Sequence, residues 1–279
     1  MRQIVTAPAL RQARNGLTEV ANVIPFEEHD EDGVTFTPLG CQAIFGHVPF
    51  CPSEDKAPFY DCVAAVVANA YLLEVGLSWS LVDMGAEPKT ILTEAFDIAT
   101  SPALERLTSS GITDVAAGSP IVLPTGAGAI GTGGIRGRVM GTSVAPPVLS
   151  TALDVGGTPA NAAAAIGLIE SKLIDTSDHT GGGGTLLMTP YSVTTSGNGA
   201  LRYDTDGHFV TVATGSKVVV GNFAPMKTVY GVIGEVDVYL GGVEVLEAHE
   251  RSKNEWVGRA ERRAVAVWNT CAVYSATFT

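Results

Sequence analysis

The chain has 279 residues, enough for one large domain or two modest ones with a sizeable core and no need of covalent staples. Charged residues make up only 16 % and hydrophobic residues 46 %, against about a quarter charged in a typical soluble domain, so either a partner subunit covers much of the surface or the chain is a compact, weakly charged monomer. A net charge of -12 argues against general binding to nucleic acid, which needs Lys and Arg to neutralise phosphates.

Residues 1–28 show little apolar periodicity and no signal-peptide core. Arg2, Arg11 and Arg14 are the only basic cluster there, and the segment reads as an extended arm with one short helix near Pro8–Asn15. The acidic turn Glu27–Gly33 leads into Val34-Thr35-Phe36-Thr37, a strand by alternation and β-branching. Residues to about Pro58 read as irregular strands and turns. The apolar run Tyr60–Trp79 fits a buried strand or a buried helix equally well. Lys89–Ile98 reads as helix, with Ile91, Leu92, Ala95, Phe96 and Ile98 mainly on one face and Pro88 in the first turn. Ser101-Pro102 reads as a stop or kink, with Ala103–Leu107 continuing as a second turn.

Thr158-Pro159 is expected to open a second helix, whose apolar face is read as Ala160, Ala163, Ala164, Gly167, Leu168, Ser171 and Leu173. Four consecutive glycines end the following loop, and Thr185–Pro190 reads as a buried strand. Lys217–Val220, Gly231–Tyr239, Val243–Val245 and Arg263–Tyr274 read as further strands. The class is α+β, rich in strands, and no repeat period is visible. No run reads as a membrane span.

The chemical signals are weak. Gly126-Ala127-Gly128-Ala129-Ile130-Gly131 matches G-x-G-x-x-G literally. That motif binds a pyrophosphate only where a strand precedes it and a helix opens after it. Here Thr132–Arg138 brings three more glycines, each costing about 1 kcal/mol in a helix interior, so the match reads as a flexible loop. Its Arg136 and Arg138 are candidates to meet a neighbour's carboxylates, or are simply solvated. Gly141–Ala145 lacks the second glycine of a nucleophile elbow. His29, His47, His179, His208 and His249 never fall at metal-ligand spacing. Asp204-Thr205-Asp206-Gly207 begins like a calcium loop but lacks the later glutamate, so it reads as a solvated turn. Cys41, Cys51, Cys62 and Cys271 show no C-x-x-C spacing and read as free thiols. The residues give no catalytic constellation, no cofactor site and no metal site.

The C-terminal stretch Lys253–Cys271 contains N-x-x-x-x-R-A-E-R-x-A-x-x-x-W-x-x-C and resembles the major capsid proteins of tailed phages that infect actinobacteria. Gly33–Cys41, Glu87–Phe96 and the Ala162–Met188 unit are similar in the same order. The resemblance implies the HK97-like capsid fold: an N-terminal arm at 1–30, an E-loop hairpin at 31–60, a peripheral (P) domain at 61–144, an axial (A) domain at 145–240, and C-terminal strands at 241–279 that return to the P and A domains. The P domain would carry a spine helix near 86–107, although that helix is usually long and Pro88 and Pro102 bracket a short one here.

The implied function is a non-enzymatic shell subunit. It would self-assemble through hexamers and pentamers into an icosahedral head around double-stranded DNA, in a virion built in the host cytoplasm. Portal, scaffold and decoration proteins are the implied partners, with no cofactor and no membrane. Met1 at the start is taken as a sign that no large scaffolding segment is removed. Arg259, Glu261, Arg262 and Arg263 are candidates for contacts between subunits, with a solvated charged strand edge as the alternative. Lys56 lies in the expected E-loop, but nothing in the sequence sets an Asn and an acid beside it for a covalent cross-link. The competing readings are a tail-tube or decoration protein, an encapsulin-type compartment, and an enzyme.

Overall fold

The computed structural model describes residues 14–26, 33–36, 66–69, 71–80, 88–110, 138–140, 148–150, 153–177, 183–197, 199–223, 225–268 and 273–279. The glycine motif at 126–131, most of the expected E-loop with Lys56, the stretch Gly141–Ala145, Arg136, the four cysteines, and His29, His47 and His179 lie outside them.

In chain order the first elements are α1 (Leu17–Val20), β1 (Asn22–Pro25), β2 (Gly33–Phe36), β3 (Val66–Asn69), β4 (Tyr71–Ser80) and α2 (Pro88–Ser110). There follow β5 (Arg138–Met140), β6 (Val148–Ser150), β7 (Leu153–Asp154), α3 (Ala162–Ser177), β8 (Gly184–Met188) and α4 (Pro190–Thr195). The last are β9 (Leu201–Tyr203), β10 (Phe209–Thr211), β11 (Lys217–Val220), β12 (Thr228–Ile233), β13 (Val236–Leu240), β14 (Glu244–Glu250), β15 (Glu255–Trp268) and β16 (Tyr274–Thr277). The architecture is α+β.

A five-stranded sheet is built around β15, which pairs antiparallel with β13, β14 and β4, while β1 adds parallel to β13. A seven-stranded sheet has the order β7-β16-β12-β8-β11-β10-β9. Two further hairpins pair β2 with β3 and β5 with β6. The open choice over Tyr60–Trp79 resolves to strand at 66–69 and 71–80.

The helix α2 runs unbroken for 23 residues through Pro102, so the expected stop is not one. A proline removes one backbone hydrogen bond and crowds the carbonyl four residues earlier. Pro102 sits on the exposed side, where water can serve that carbonyl, while Leu92, Phe96 and Leu104 are fully buried on either side of it. Ile91, expected on the apolar face, is exposed instead.

The helix α3 also departs from expectation. It begins at Ala162 rather than at Pro159, because the Asn161 side-chain oxygen accepts the Ala164 N–H at 2.9 Å and acts as the cap. Its buried face is Ala162, Ala165, Ile166, Ile169 and Leu173, whereas the expected Ala164, Gly167, Leu168 and Ser171 face outward. The segment is apolar nearly all round, so periodicity alone could not choose the face. Bulk chose it: each buried Ile or Leu contributes roughly 1.5–3 kcal/mol, far more than alanine or glycine. Helix and sheet approach closely at Gly231 of β12, where a Cβ would lie 2.3 Å from Ile169 Cγ2.

Three expected strands are redrawn. Thr185–Pro190 ends at Met188, because Thr189 caps α4 by accepting the Ser192 N–H at 3.1 Å and Pro190 takes the first helical turn. Gly231–Tyr239 is two strands in two different sheets, divided at Gly234, whose φ of +76° suits glycine. Arg263–Tyr274 is likewise two: β15, which already starts at Glu255, and β16 in the other sheet. The strand at 217–220 falls where the sequence put it, and β2 at 33–36 overlaps the expected Val34–Thr37, of which Thr37 lies outside the described residues.

At the N-terminal side, most of the expected helix near Pro8–Asn15 lies outside the described residues; Asn15 lies in a turn with φ 62°, and a short helix follows at Leu17–Val20. Residues 14–26 pack into the body, and Leu17 is fully buried in a core cluster with residues of α2 and both sheets.

Candidate assembly surface

Strand alternation divides the four charged candidates on β15 between its two faces. Arg262 shares a face with Ala260 and Ala264 and turns toward α2. Its Nη2 lies 2.7 Å from Asp97 Oδ1, and its Nη1 donates to Thr100 Oγ1 at 3.2 Å. The guanidinium carbon sits 6.0 Å from the centre of the Phe96 ring. Its Nε is buried with no hydrogen-bond partner. Arg262 thus ties the long strand to the long helix within one chain.

Arg259, Glu261 and Arg263 lie on the other face. Arg259 Nε is 2.5 Å from Glu261 Oε1, and the arginine side chain is about half exposed. An exposed pair of this kind is worth roughly 0–1 kcal/mol, so its value to the fold is small. Arg138 opens β5 in register with Ser150.

The same face of β14 and β15 carries apolar side chains that the sequence reading did not single out. Leu246 is 57 % exposed and Val257 37 % exposed, with Leu246 in register with Arg259, and Ala248 with Val257. The alternation of Glu244–Glu250 held the signal, since it sets Leu246 and Ala248 on the face opposite Val245. Among the described residues, β14 is an end strand of its sheet. The surface therefore combines an apolar centre with an ion pair and an open strand, the make-up of a protein-binding face rather than a reaction centre.

The far end of the seven-stranded sheet offers a second exposed feature. Tyr203, 64 % exposed, stacks on Phe209 with ring centres 4.4 Å apart. Between them the Asp204 carboxylate accepts the N–H groups of Asp206 and His208 at 2.9 and 2.8 Å. The bond from the His208 N–H holds the Asp204 carboxyl below its ordinary range. The carboxylate is a turn lock here, as expected for a solvated acidic turn.

Among the described residues no group of three or more His, Cys, Asp or Glu is placed to hold a metal ion. No described helix is long and apolar enough to cross a membrane.

No family model matches the chain, and no curated protein does. Solved structures do match, along nearly the whole length. The capsid of an empty GTA particle aligns with TM-score 0.56 at 12 % identity, covering 98 % of this chain and 99 % of that one. The chain from Mycobacterium phage Cain aligns with TM-score 0.54 at 14 % identity, covering 100 % and 95 %. The holo-SrpI encapsulin complex of Synechococcus elongatus PCC 7942 aligns with TM-score 0.53 at 10 % identity, covering 99 % and 92 %. At such identities the likeness concerns the fold. This chain has an HK97-like α+β fold of the kind that capsid and encapsulin shells share.

Proposed function

We propose that the chain is the major capsid protein of a tailed phage of an actinobacterial host, assembling with copies of itself into an icosahedral head around double-stranded DNA. The observation that carries this is the end-to-end alignment with capsid chains, near complete on both sides. The C-terminal Lys253–Cys271 stretch adds the resemblance to actinobacterial phage capsid proteins. A shell repeats one weak contact many times, and each subunit is retained by several neighbours at once. A low-charge chain with an open strand and an exposed apolar centre suits that design.

In this reading the five-stranded sheet with α2 as spine helix is the P domain. The seven-stranded sheet with α3 is the A domain, at 145–240, and the chain crosses from that sheet to the other at Gly234. The arm is 1–30, the E-loop 31–60, and 241–279 returns through β14 and β15 to the first sheet and through β16 to the second. Arg138, Arg259, Glu261 and Arg263 meet neighbouring subunits, with Arg136, outside the described residues, as a further candidate, while Arg262 holds the strand that carries Arg259, Glu261 and Arg263. Hexamers and pentamers of the chain meet portal, scaffold and decoration proteins, and assembly takes place in the host cytoplasm.

The net charge of -12 supports an inner wall that does not grip packaged DNA. Filter binding of duplex DNA to empty shells at physiological salt should show little retention, and tight binding would contradict that part. Sedimentation velocity of the purified full chain tests assembly: a fast, discrete boundary far above the 28.9 kDa subunit is expected, and a slow boundary of a few subunits would overturn the reading.

The encapsulin likeness supports a second reading, a compartment shell around protein cargo. Particles isolated from the native host separate the two, since nuclease-protected DNA marks a capsid and a co-purifying enzyme marks a compartment.

A further inference from the structure

Residues 14–26 touch the long helix α2 and both large sheets. The Asn15 carbonyl accepts the Val220 N–H at 2.7 Å, and its side-chain oxygen accepts the Phe209 N–H at 3.1 Å, both from the seven-stranded sheet. Glu19 turns back to accept the Asn15 N–H. The Leu17 N–H donates to Glu105 Oε1 at 2.9 Å and the Thr18 N–H to Ser101 Oγ at 3.2 Å, both on α2. β1 then runs beside β13 of the five-stranded sheet from Asn22↔Asp237 to Pro25↔Leu240.

Glu105 stands at the centre. It is only 3 % exposed. Its Oε1 also accepts the Ser101 hydroxyl at 2.9 Å, and its Oε2 accepts the Asn222 N–H at 2.9 Å, just beyond β11. One carboxylate therefore joins the N-terminal segment, the long helix and the seven-stranded sheet. Three protein donors occupy it, so it is a structural junction rather than a ligand site.

Neither α1 nor β1, of four residues each, is stable in isolation, so this segment docks or leaves as one unit. Of the connections between the sheets, the one from β12 to β13 is short, through Gly234 and Glu235, and a second runs from β15 to β16.

We propose that residues 14–26 are a releasable clasp that fixes the angle between the two sheets, with the Glu105 carboxylate as its latch. Opening the latch strands the buried Leu17 donor, breaks the Asn222 bond and frees the clasp, while each sheet keeps its own ladder. The sheets then rotate about the Gly234 link. This holds whether or not the chain builds shells. In a shell, it would let one subunit adopt more than one angle.

The test is hydrogen–deuterium exchange on the full chain, wild type against Glu105→Ala and Glu105→Gln. In Glu105→Ala, exchange should rise about tenfold or more over 14–26 and 220–223, while 184–188, 228–233 and 255–264 stay within about twofold of wild type. Glu105→Gln should fall between. No change in the clasp, or an equal rise everywhere, overturns the proposal. If Glu105→Ala does not fold, Ser101→Ala carries the same comparison, because it removes the Thr18 bond and one Glu105 bond but leaves the carboxylate in place. The angle is read from spin labels at Val212→Cys and Leu246→Cys, in a background with the four native cysteines changed to serine. The labelled chain is diluted into unlabelled chain. The distance distribution should be narrow with Glu105 and broad without it, and equal widths would refute the claim about the angle.

Discussion

Arg262 Nη2 of β15 lies 2.7 Å from Asp97 Oδ1 of α2, but the two partners are not equally placed. The arginine side chain is 14 % exposed and the aspartate 52 %. Removing the buried partner also removes the Thr100 hydrogen bond and the packing over Phe96. Arg262→Ala should therefore cost about 1–3 kcal/mol in urea unfolding, and Asp97→Asn less than about 1 kcal/mol. Equal costs would show that the ion pair alone matters.

Gly231 tests the seating of α3. A Cβ at this position would lie 2.3 Å from Ile169 Cγ2, so Gly231→Ala should destabilise by about 1–3 kcal/mol. Ile169→Ala opens a cavity on its own, yet the double variant should lose less than the sum of the two single losses. Simple additivity in urea unfolding would mean the two sites do not touch.

The start of α3 is set by Asn161. Asn161→Ala should lower stability by about 1 kcal/mol, because the Ala164 N–H loses its acceptor. Thr158→Ala, in the exposed approach to the helix, should change little. The reverse order, read from thermal unfolding, would move the cap back to the threonine.

Asp204 makes the turn between β9 and β10 sensitive to acid. Its folded carboxyl titrates below the ordinary aspartate value of 3.8, so its contribution to the turn is complete above that pH. It is lost as pH falls from 3.8 through the lower folded value. An NMR titration of the His208 amide should show a midpoint below 3.8, and Asp204→Asn should abolish the transition. A midpoint above that value would contradict the turn geometry.

Much of the fold is legible in the sequence where composition and local geometry agree. The runs at 184–188 and 217–220 are continuous, β-branched or apolar, and lie side by side as parallel central strands. The reading fails where a long-range contact decides. Alternation runs unbroken through Gly234, so nothing local announces that Ile233 and Val236 belong to different sheets. Pro102 reads as a stop because the packing of Leu104 and the bonds of Glu105 beyond it are invisible in a local window. The charged quartet on β15 was found as a group, but its split between faces depends on which side meets α2. Leu246 and Val257 pass for ordinary strand residues until the sheet shows their face open.

The central claim is that copies of this chain close into a shell, and negative-stain electron microscopy of the purified full chain tests it most directly. Closed, isometric particles of uniform size are the predicted result. A small monodisperse oligomer or long open tubes, from chain shown to be folded, would contradict it.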